Sequence, residues 1–200
     1  MQSELIAAPP LVVLVPKNRG LAAMAERALQ SCASGVPVER TFVRGEDVPF
    51  LANEVARTGR PMLALTGDDL LDEWLAGGRT LDARVRRSGV AWEDPGARYG
   101  KPALCLIGPR GVPLPELGVL RVAVCAKYGN LARRYLRSLE RPGLTVDPVL
   151  IAGTVEAALL YNAADFMIDI VASGTTIDAL DLDVRAVIQT SDLAVLEANR

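Results

Sequence analysis

Short apolar runs alternate along the chain with segments in which apolar residues recur every three or four positions. The runs predict buried strands, and the second pattern predicts amphipathic helices. The predicted strands span residues 11–15, 38–43, 62–65, 103–107, 119–125, 145–151, 166–171, 184–190 and 193–197, with a weak strand at 89–92. The predicted helices span residues 21–30, 48–57, 70–75, 131–139 and 154–164. This alternation indicates an α/β fold with mostly parallel sheets flanked by helices.

The segment from 77 to 100 is polar and irregular, and it separates two groups of predicted elements. We therefore expect two lobes with a cleft between them. The first lobe is predicted to comprise residues 1–98 together with the returning tail, residues 180–200. The second lobe is predicted to comprise residues 99–179. The last two strands are expected to pair as a hairpin, and Asp47 is expected to cap the helix that follows it.

The composition narrows the class of protein. Half of the 200 residues are hydrophobic and the net charge is −2, which is typical of a folded globular chain. There is no basic tract and only 4% of residues are aromatic, so a nucleic-acid surface is not expected. The chain also has neither a Walker-type phosphate loop nor a G-x-G-x-x-G motif.

The sequence contains no histidine, which excludes histidine-based triads and general bases. Its three cysteines, Cys32, Cys105 and Cys125, are isolated from one another and are expected to be reduced thiols. The first residues do not have the pattern of a signal peptide, and no apolar run approaches the length of a membrane span. These features predict a cytoplasmic protein.

The stretch from 165 to 177 carries the most specific chemistry. An apolar run is interrupted by Asp169 and is followed by four small residues: Ser173, Gly174, Thr175 and Thr176. A glycine lets the backbone turn tightly, and hydroxyl and N–H groups at the start of a helix bind anions such as phosphate. The Asp169 carboxylate accepts hydrogen bonds from sugar hydroxyls. The pattern predicts a ribose 5-phosphate site, although such residues also form ordinary caps and turns.

Other polar residues follow predicted strands where an α/β sheet binds ligands. Lys17 and Arg19 form a basic turn after the first strand, and Thr66 and Gly67 follow the third. For these turns, a binding role and a solvated or capping role are both open. Two interpretations are likewise open for Lys127, which precedes a predicted helix. It either binds substrate or lies in solvent, the ordinary environment of a surface cation.

Six segments of the chain form a collinear set. They read V-P-K-N-R-G-L from Val15, V-R-G-E-D-V-P from Val43, L-T-G-D-D-L-L from Leu65, A-K-Y-G-N-L-A-R-R-Y-L from Ala126, G-T-V-E-A-A from Gly153 and A-D-F-M-I-D-I-V-A-S-G-T-T-I from Ala164. In this order they resemble the ATP phosphoribosyltransferases, which catalyse the first step of histidine biosynthesis. The resemblance spans most of the chain.

The resemblance implies two α/β lobes similar to type II periplasmic binding proteins, with the active site in the cleft. It implies transfer of phosphoribose from phosphoribosyl pyrophosphate to N1 of the ATP adenine, with Mg²⁺ and with release of pyrophosphate. The residues that it implies are Asp169 at the ribose hydroxyls, Glu156 near the ribose, Ser173, Gly174, Thr175 and Thr176 at the 5-phosphate, and Lys17 and Arg19 near the substrate phosphates. Thr66, Gly67 and Lys127 complete the predicted substrate-binding set, and no residue is predicted to ligate a metal.

The chain is similar in length to the short form of this family. That form lacks the C-terminal histidine-binding domain of the long form, and it requires a regulatory subunit related to histidyl-tRNA synthetase. The resemblance therefore implies a hetero-oligomer with a homo-oligomeric core.

Several positions depart from the family pattern. Asn18 replaces a glycine, Gly129 replaces a proline and Asn162 replaces another glycine, while residues 62–67 lack an acidic residue. Most departures lie in the first lobe, so two alternatives stay open. One is a phosphoribosyltransferase that acts on a different base-like acceptor, and the other is a non-catalytic ligand-binding or regulatory homologue.

Overall fold

The computed structural model describes residues 9–17, 21, 23–24 and 37–199. The predicted helix over residues 21–30 lies largely outside these ranges, and Arg19 and Cys32 lie wholly outside them. The chain divides into two compact units. The first comprises Met1–Gly67, Thr80–Val90 and Leu193–Arg200, and the second comprises Asp68–Arg79 and Ala91–Asp192.

A mixed sheet forms the centre of the first unit. Its strands are β1 (Leu11–Pro16), β2 (Val38–Val43), β3 (Met62–Gly67), β4 (Arg86–Val90) and β10 (Leu193–Ala198), in the order β2-β1-β3-β10-β4. Strand β1 is parallel to β2 and β3, whereas β10 is antiparallel to β3 and β4. The apolar strands β1, β3 and β10 are central and buried, and the polar strands β2 and β4 form the exposed edges.

Helix α1 (Val48–Arg57) belongs to the first unit. It begins with Pro49 in its first turn, where the missing N–H of proline costs no hydrogen bond. The face that includes Val48, Ala52 and Ala56 is buried. Asp47 occupies the capping position but makes no side-chain capping hydrogen bond, so its predicted capping role was wrong.

A second mixed sheet organises the second unit. Its strands are β5 (Ala103–Pro109), β6 (Gly118–Cys125), β7 (Leu144–Ile151), β8 (Phe166–Val171) and β9 (Leu182–Thr190), in the order β7-β6-β8-β5-β9. Strand β6 is parallel to β7 and β8, and β5 is antiparallel to β8 and β9. The helices of this unit are α2 (Asp68–Ala76), α3 (Gly129–Arg137), α4 (Glu156–Leu160) and α5 (Thr175–Ala179).

Both faces of the second sheet are covered. Alternate residues of β5 and β8, such as Leu104 and Ile168, pack on one face with Leu131 and other residues of α3. The intervening residues, such as Ile107 and Met167, pack on the other face with residues of α4 and α5. Because successive side chains of a strand point to opposite faces, the continuous apolar runs of β5 and β8 supply both cores.

Each sheet is mostly parallel, as predicted: four of its five strands run in one direction, and β10 or β5 runs against them. One prediction about strand pairing was wrong. Strands β9 and β10 do not form a hairpin, because β9 pairs with β5 and β10 lies between β3 and β4. The predicted unit boundaries also differ from those observed, since β9 and α2 belong to the second unit. The predicted strands and most predicted helices are confirmed, but α4 is shorter than expected.

No helix among the described residues is both long enough and apolar enough to span a membrane.

Helix α3 receives its N-terminal cap from helix α2. Its own capping residue, Tyr128, makes no side-chain capping bond. Instead, the Glu73 carboxylate accepts hydrogen bonds from the backbone N–H groups of Asn130 and Leu131, both at 2.8 Å, and from the Asn130 side-chain amide at 2.7 Å. Nearby, the buried Asp69 carboxylate accepts hydrogen bonds from the hydroxyls of Tyr128 and Ser191. These bonds fix α2 to α3 within the second unit.

Replacing Glu73 with alanine should lower the free energy of unfolding by about 1–2 kcal/mol, the usual cost of losing a helix cap. The reason is that two backbone N–H groups of α3 lose their acceptor. Urea-induced unfolding followed by circular dichroism measures the change. The exposed Glu140→Ala variant is the matched control, and an equal loss in both variants would contradict the interpretation.

Candidate active site

Asp169 is a carboxylate in an otherwise apolar strand. It lies on the same face of β8 as Met167 and Val171, both of which are buried in the core beneath α4 and α5. One of its oxygens, Oδ1, accepts a hydrogen bond of 2.8 Å from the backbone N–H of Ile170. The strand therefore holds the carboxylate in place at the boundary between core and solvent.

The loop that follows β8 brings hydroxyl groups together. Gly174 adopts φ +86°, a conformation that strongly favours glycine, and helix α5 begins at the next residue. The hydroxyls of Ser173 and Thr175 lie 3.0 Å apart, and the Thr175 N–H donates to the Ser173 hydroxyl at 3.4 Å. Because α5 has only five residues, these polar groups matter more for binding an anion than the dipole of the helix.

A cavity of about 170 Å³ lies beside this loop. Its polar lining comprises six of the residues predicted from the sequence: Asp169, Glu156, Ser173, Gly174, Thr175 and Thr176. Ile107, Met167 and Ile177 contribute apolar surface. The structure thus places two carboxylates and a hydroxyl-rich loop around one small space, an arrangement suited to a polar ligand that carries both hydroxyl groups and an anion.

The electrostatic balance at Asp169 is dominated by burial, which raises the pKa of its carboxyl group. The Ile170 N–H and the positive charge of Lys127 act in the opposite direction, and the charge of Glu156 raises the pKa further. The Cys125 thiol is also a neighbour, and burial together with the charge of Asp169 raises the pKa of that thiol. Ionisation of Asp169 is therefore costly without a further positive partner.

Three other predicted site residues, Thr66, Gly67 and Lys17, lie in the first unit. The Thr66 side chain is fully buried, and its hydroxyl donates a hydrogen bond of 2.8 Å to the carbonyl of Gly45. Gly67 ends β3 and pairs with Leu193 in β10. Lys17 is exposed, and its backbone N–H bonds to β2. Substrate contacts of these residues stay predictions, as does the role of Arg19 outside the described ranges.

Sequence reasoning missed Arg98. Its backbone N–H donates a hydrogen bond of 2.8 Å to the carbonyl of Ala172, directly before the hydroxyl loop. It comes from the polar, irregular segment 77–100, where a charged side chain was the only signal that the sequence offered. Cys125 was predicted only to be a reduced thiol, and its position beside Asp169 could not be predicted from the sequence.

Replacing Gly174 with alanine should lower the free energy of unfolding by about 1–2 kcal/mol, because an L-residue at φ +86° is strained. The new Cβ would also lie 3.1 Å from the Cδ and Nη1 atoms of Arg98. Chemical denaturation measures the loss. Gly153→Ala is the control, since its Cβ would meet no atom within 4 Å; equal stability of the two variants would refute the strain argument.

Replacing Asp169 with asparagine should raise the free energy of unfolding at pH 7. Burial raises the pKa of Asp169 above its ordinary value of 3.8, so the folded protein loses stability as the pH rises through that raised pKa. Asparagine avoids this cost and retains an acceptor for the Ile170 N–H. This gain in the free energy of unfolding should disappear below about pH 4, where the carboxyl group of the parent chain is protonated in the unfolded state as well. Denaturation from pH 3 to 8 measures it.

Asp165→Asn is a control that should change the free energy of unfolding in the opposite direction. Arg121 bonds this carboxylate at 2.7 Å and lowers its pKa, so its stabilising contribution is present at neutral pH and is lost as the pH falls through the lowered pKa. This variant should therefore be less stable than the parent at pH 7. The same pH dependence in both variants would contradict the assignment.

Comparison with known proteins finds relatives of this chain. A family model described as HisG, ATP phosphoribosyltransferase, matches residues 44–200. The ATP phosphoribosyltransferase of Metallosphaera sedula is 30% identical over 154 residues, covering 76% of this chain and 47% of the relative. That of Pseudomonas entomophila is 33% identical over 153 residues, covering 76% of this chain and 62% of the relative. The chain thus spans less than two thirds of the length of these relatives.

Solved structures share the fold. The ATP phosphoribosyl transferase (HisG:HisZ) complex from Thermotoga maritima matches with a TM-score of 0.62 at 21% identity, covering 96% of this chain and 88% of that chain. The periplasmic aliphatic sulphonate binding protein SsuA from Escherichia coli matches with a TM-score of 0.58 at 17% identity, covering 96% and 62%. The predicted likeness to periplasmic binding proteins is confirmed. From the family model, which covers most of its length, the chain belongs to the ATP phosphoribosyltransferase (HisG) family.

Proposed function

We propose that this protein transfers the 5-phosphoribosyl group of phosphoribosyl pyrophosphate to N1 of the ATP adenine, releasing pyrophosphate. This reaction is the first step of histidine biosynthesis, and we propose the cytoplasm as its location. The observation that carries the proposal is the cavity in which Asp169 and Glu156 line the same space as the loop 173–176. Membership of the family supports it.

The lining of the cavity supports one orientation of the sugar phosphate. The 5-phosphate belongs at the loop, where the hydroxyls of Ser173 and Thr175 supply donors and no carboxylate belongs to the loop itself. The ribose hydroxyls belong at Asp169, because an ionised carboxylate accepts hydrogen bonds and repels phosphate. Glu156 is placed on the ribose side for the same reason. The anomeric carbon then faces away from the loop, toward the leaving pyrophosphate and the acceptor.

The reaction requires charge stabilisation more than a nucleophilic side chain. The bond from the anomeric carbon to the pyrophosphate oxygen breaks, N1 of adenine forms the new bond, and positive charge develops on the sugar ring. The carboxylates of Asp169 and Glu156 stabilise that charge. Because burial makes the free Asp169 charge costly, a developing positive charge relieves this cost, and the stabilisation is greatest in the transition state.

Magnesium enters this proposal as part of the substrate complex. The described residues contain no cluster of three or more side chains that could hold a metal ion. The cavity offers the two carboxylates of Asp169 and Glu156, which fits Mg²⁺ held largely by substrate oxygens, its usual mode with phosphate ligands. When bound, Mg²⁺ neutralises the departing pyrophosphate. Lys127, Lys17 and Arg19 are the proposed side-chain cations for the substrate phosphates.

A second candidate is transfer of phosphoribose to a different base-like acceptor. It is favoured by the first unit, where the hydroxyl of Thr66 is occupied by the Gly45 carbonyl and strand β3 lacks an acidic residue. Those residues belong to the segment expected to meet the acceptor. The donor site described above would be the same in both candidates.

We also propose a homo-oligomeric core that binds a regulatory subunit related to histidyl-tRNA synthetase. Support comes from membership of the family and from the fold shared with the Thermotoga maritima HisG:HisZ complex. Co-expression of the chain with such a subunit, followed by size-exclusion chromatography with light scattering, tests this part of the proposal.

The activity is tested by incubating the chain with Mg²⁺, phosphoribosyl pyrophosphate and ATP, with and without the regulatory subunit. We expect phosphoribosyl-ATP and pyrophosphate in equal amounts. Asp169→Ala should lower kcat about 100- to 1,000-fold, the range found when a transition-state contact is removed. Asp147→Ala, at an exposed carboxylate on strand β7, is the control and should leave kcat unchanged.

Consumption of phosphoribosyl pyrophosphate with another base but not with ATP would replace the first candidate with the second. Absence of turnover with every acceptor, when the regulatory subunit is present, would reject a catalytic role.

A further inference from the structure

The segment before β5 folds against the hydroxyl loop. Its turn is closed by three backbone hydrogen bonds, from Ala97 to Asp94 at 2.9 Å, from Gly100 to Ala97 at 3.0 Å and from Asp94 to Gly100 at 2.8 Å. This turn presents the Arg98 N–H to the carbonyl of Ala172. The last part of the polar segment, residues 94–100, therefore holds Arg98 beside the end of β8.

The side chain of Arg98 extends along the same loop. A Cβ placed on Gly174 would lie 3.1 Å from both Cδ and Nη1 of Arg98, so the guanidinium lies directly beside the backbone of that glycine. Arg98 is not among the residues that line the cavity; it stands at the edge of the loop that does. A larger residue at position 174 would displace it.

The Arg98 side chain forms a weak ion pair that an anionic ligand could displace. Its Nη1 lies 3.2 Å from Oδ1 of Asp178 in helix α5, and the two side chains are 39% and 65% exposed. An ion pair with this exposure contributes little free energy, because water screens it. The guanidinium can therefore leave Asp178 for a stronger anion at low cost. The Tyr99 hydroxyl is also a polar neighbour of Arg98, and the charge of Arg98 acts on the Cys105 thiol.

The loop itself lacks a positive charge. Residues 173–176 are neutral, whereas a phosphate monoester carries close to two negative charges at neutral pH. Lys127 acts on Asp169, on the sugar side of the proposed site. The 5-phosphate therefore still requires a positive charge at the loop. A guanidinium suits this role, since its planar set of donors binds phosphate oxygens in pairs.

We propose that Arg98 binds the 5-phosphate of the sugar substrate, and that Asp178 holds its guanidinium in place until the phosphate displaces it. This inference rests on the proposed function and extends it to a residue outside the collinear motifs. Phosphate binding then exchanges a weak, exposed ion pair for a charge-assisted contact at the loop. Asp178 accordingly competes with the substrate for Arg98.

Because Asp178 competes with the substrate for Arg98, substitutions of these two residues should change the affinity for ribose 5-phosphate in opposite directions. Arg98→Gln retains the backbone bond and much of the stem but removes the charge, so it should weaken ribose 5-phosphate binding about 10- to 100-fold. Asp178→Asn releases the guanidinium and should tighten binding about two- to fivefold. If the Arg98–Asp178 pair served only to stabilise the loop, both substitutions would weaken binding.

The experiment is isothermal titration calorimetry of the full chain with ribose 5-phosphate and, separately, with Mg²⁺–phosphoribosyl pyrophosphate. The variants are Arg98→Gln, Arg98→Lys, Asp178→Asn and the double variant. Arg98→Lys should bind with intermediate affinity, because it keeps the charge without the paired donors. In the Arg98→Gln background, Asp178→Asn should have no effect; tightening there equal to that in the parent would show simple repulsion and overturn the competition.

Arg110→Gln is the matched control. Arg110 is also exposed and ion-paired, with Nε 2.8 Å from Asp181 Oδ1, but its partner follows the C-terminal end of helix α5, whereas Arg98 lies at the loop before that helix. Its affinity for ribose 5-phosphate should equal that of the parent chain. Free pyrophosphate is the ligand control, and Arg98→Gln should leave its binding unchanged, whereas equal weakening would overturn assignment of Arg98 to the 5-phosphate.

The outcomes separate this inference from the proposed function. If the parent chain binds both sugar phosphates and Arg98→Gln binds them equally well, the role of Arg98 is rejected and the proposed function stands. If the parent chain binds neither, the donor site itself is rejected, and the role of Arg98 with it. Thermal unfolding of each variant confirms that the affinities refer to folded protein.

Discussion

The position of β8 between β5 and β6 is the constraint on which the site depends. Its side chains enter the cores on both faces of the sheet, so the strand cannot slide without moving both. Hydrogen bonds to a parallel neighbour and to an antiparallel one fix its register. The carboxylate of Asp169 and the turn at Gly174 therefore occupy fixed points at one end of this strand. A rigid strand that ends in an irregular polar loop combines precise placement with accessible donor groups.

The same burial that fixes Asp169 also makes its charge costly. The Ile170 N–H, the nearby Lys127 and a hydrogen bond from the Cys125 thiol offset part of that cost, and burial prevails over all three. A core position would ordinarily carry an apolar residue here, as Met167 and Val171 do on the same face. Folding free energy is thus given up at this position, and in the proposed reaction a sugar with developing positive charge would restore it. This exchange of stability for function is a physical reason to regard the carboxylate as functional.

The sequence predicts those features that depend on local pattern. Apolar runs identified the strands, and the small residues after β8 identified the loop that lines the cavity. Strand pairing could not be predicted, because the partner of β9 lies far along the chain. An apolar run is also compatible with either a parallel or an antiparallel strand. Long-range polar contacts were missed for the same reason: the cap of α3 comes from Glu73, and Arg98 meets the loop from a polar segment without periodicity. Helix α4 ends early, and Asn162, with φ +53°, follows it.

A crystal structure of the chain with bound Mg²⁺–phosphoribosyl pyrophosphate would test the proposed donor site most directly. We expect the 5-phosphate within hydrogen-bonding distance of Ser173, Thr175 and Thr176, and the ribose hydroxyls on the Asp169 carboxylate. A ligand bound elsewhere, or one with its pyrophosphate at this loop and its ribose away from Asp169, would rule this site out.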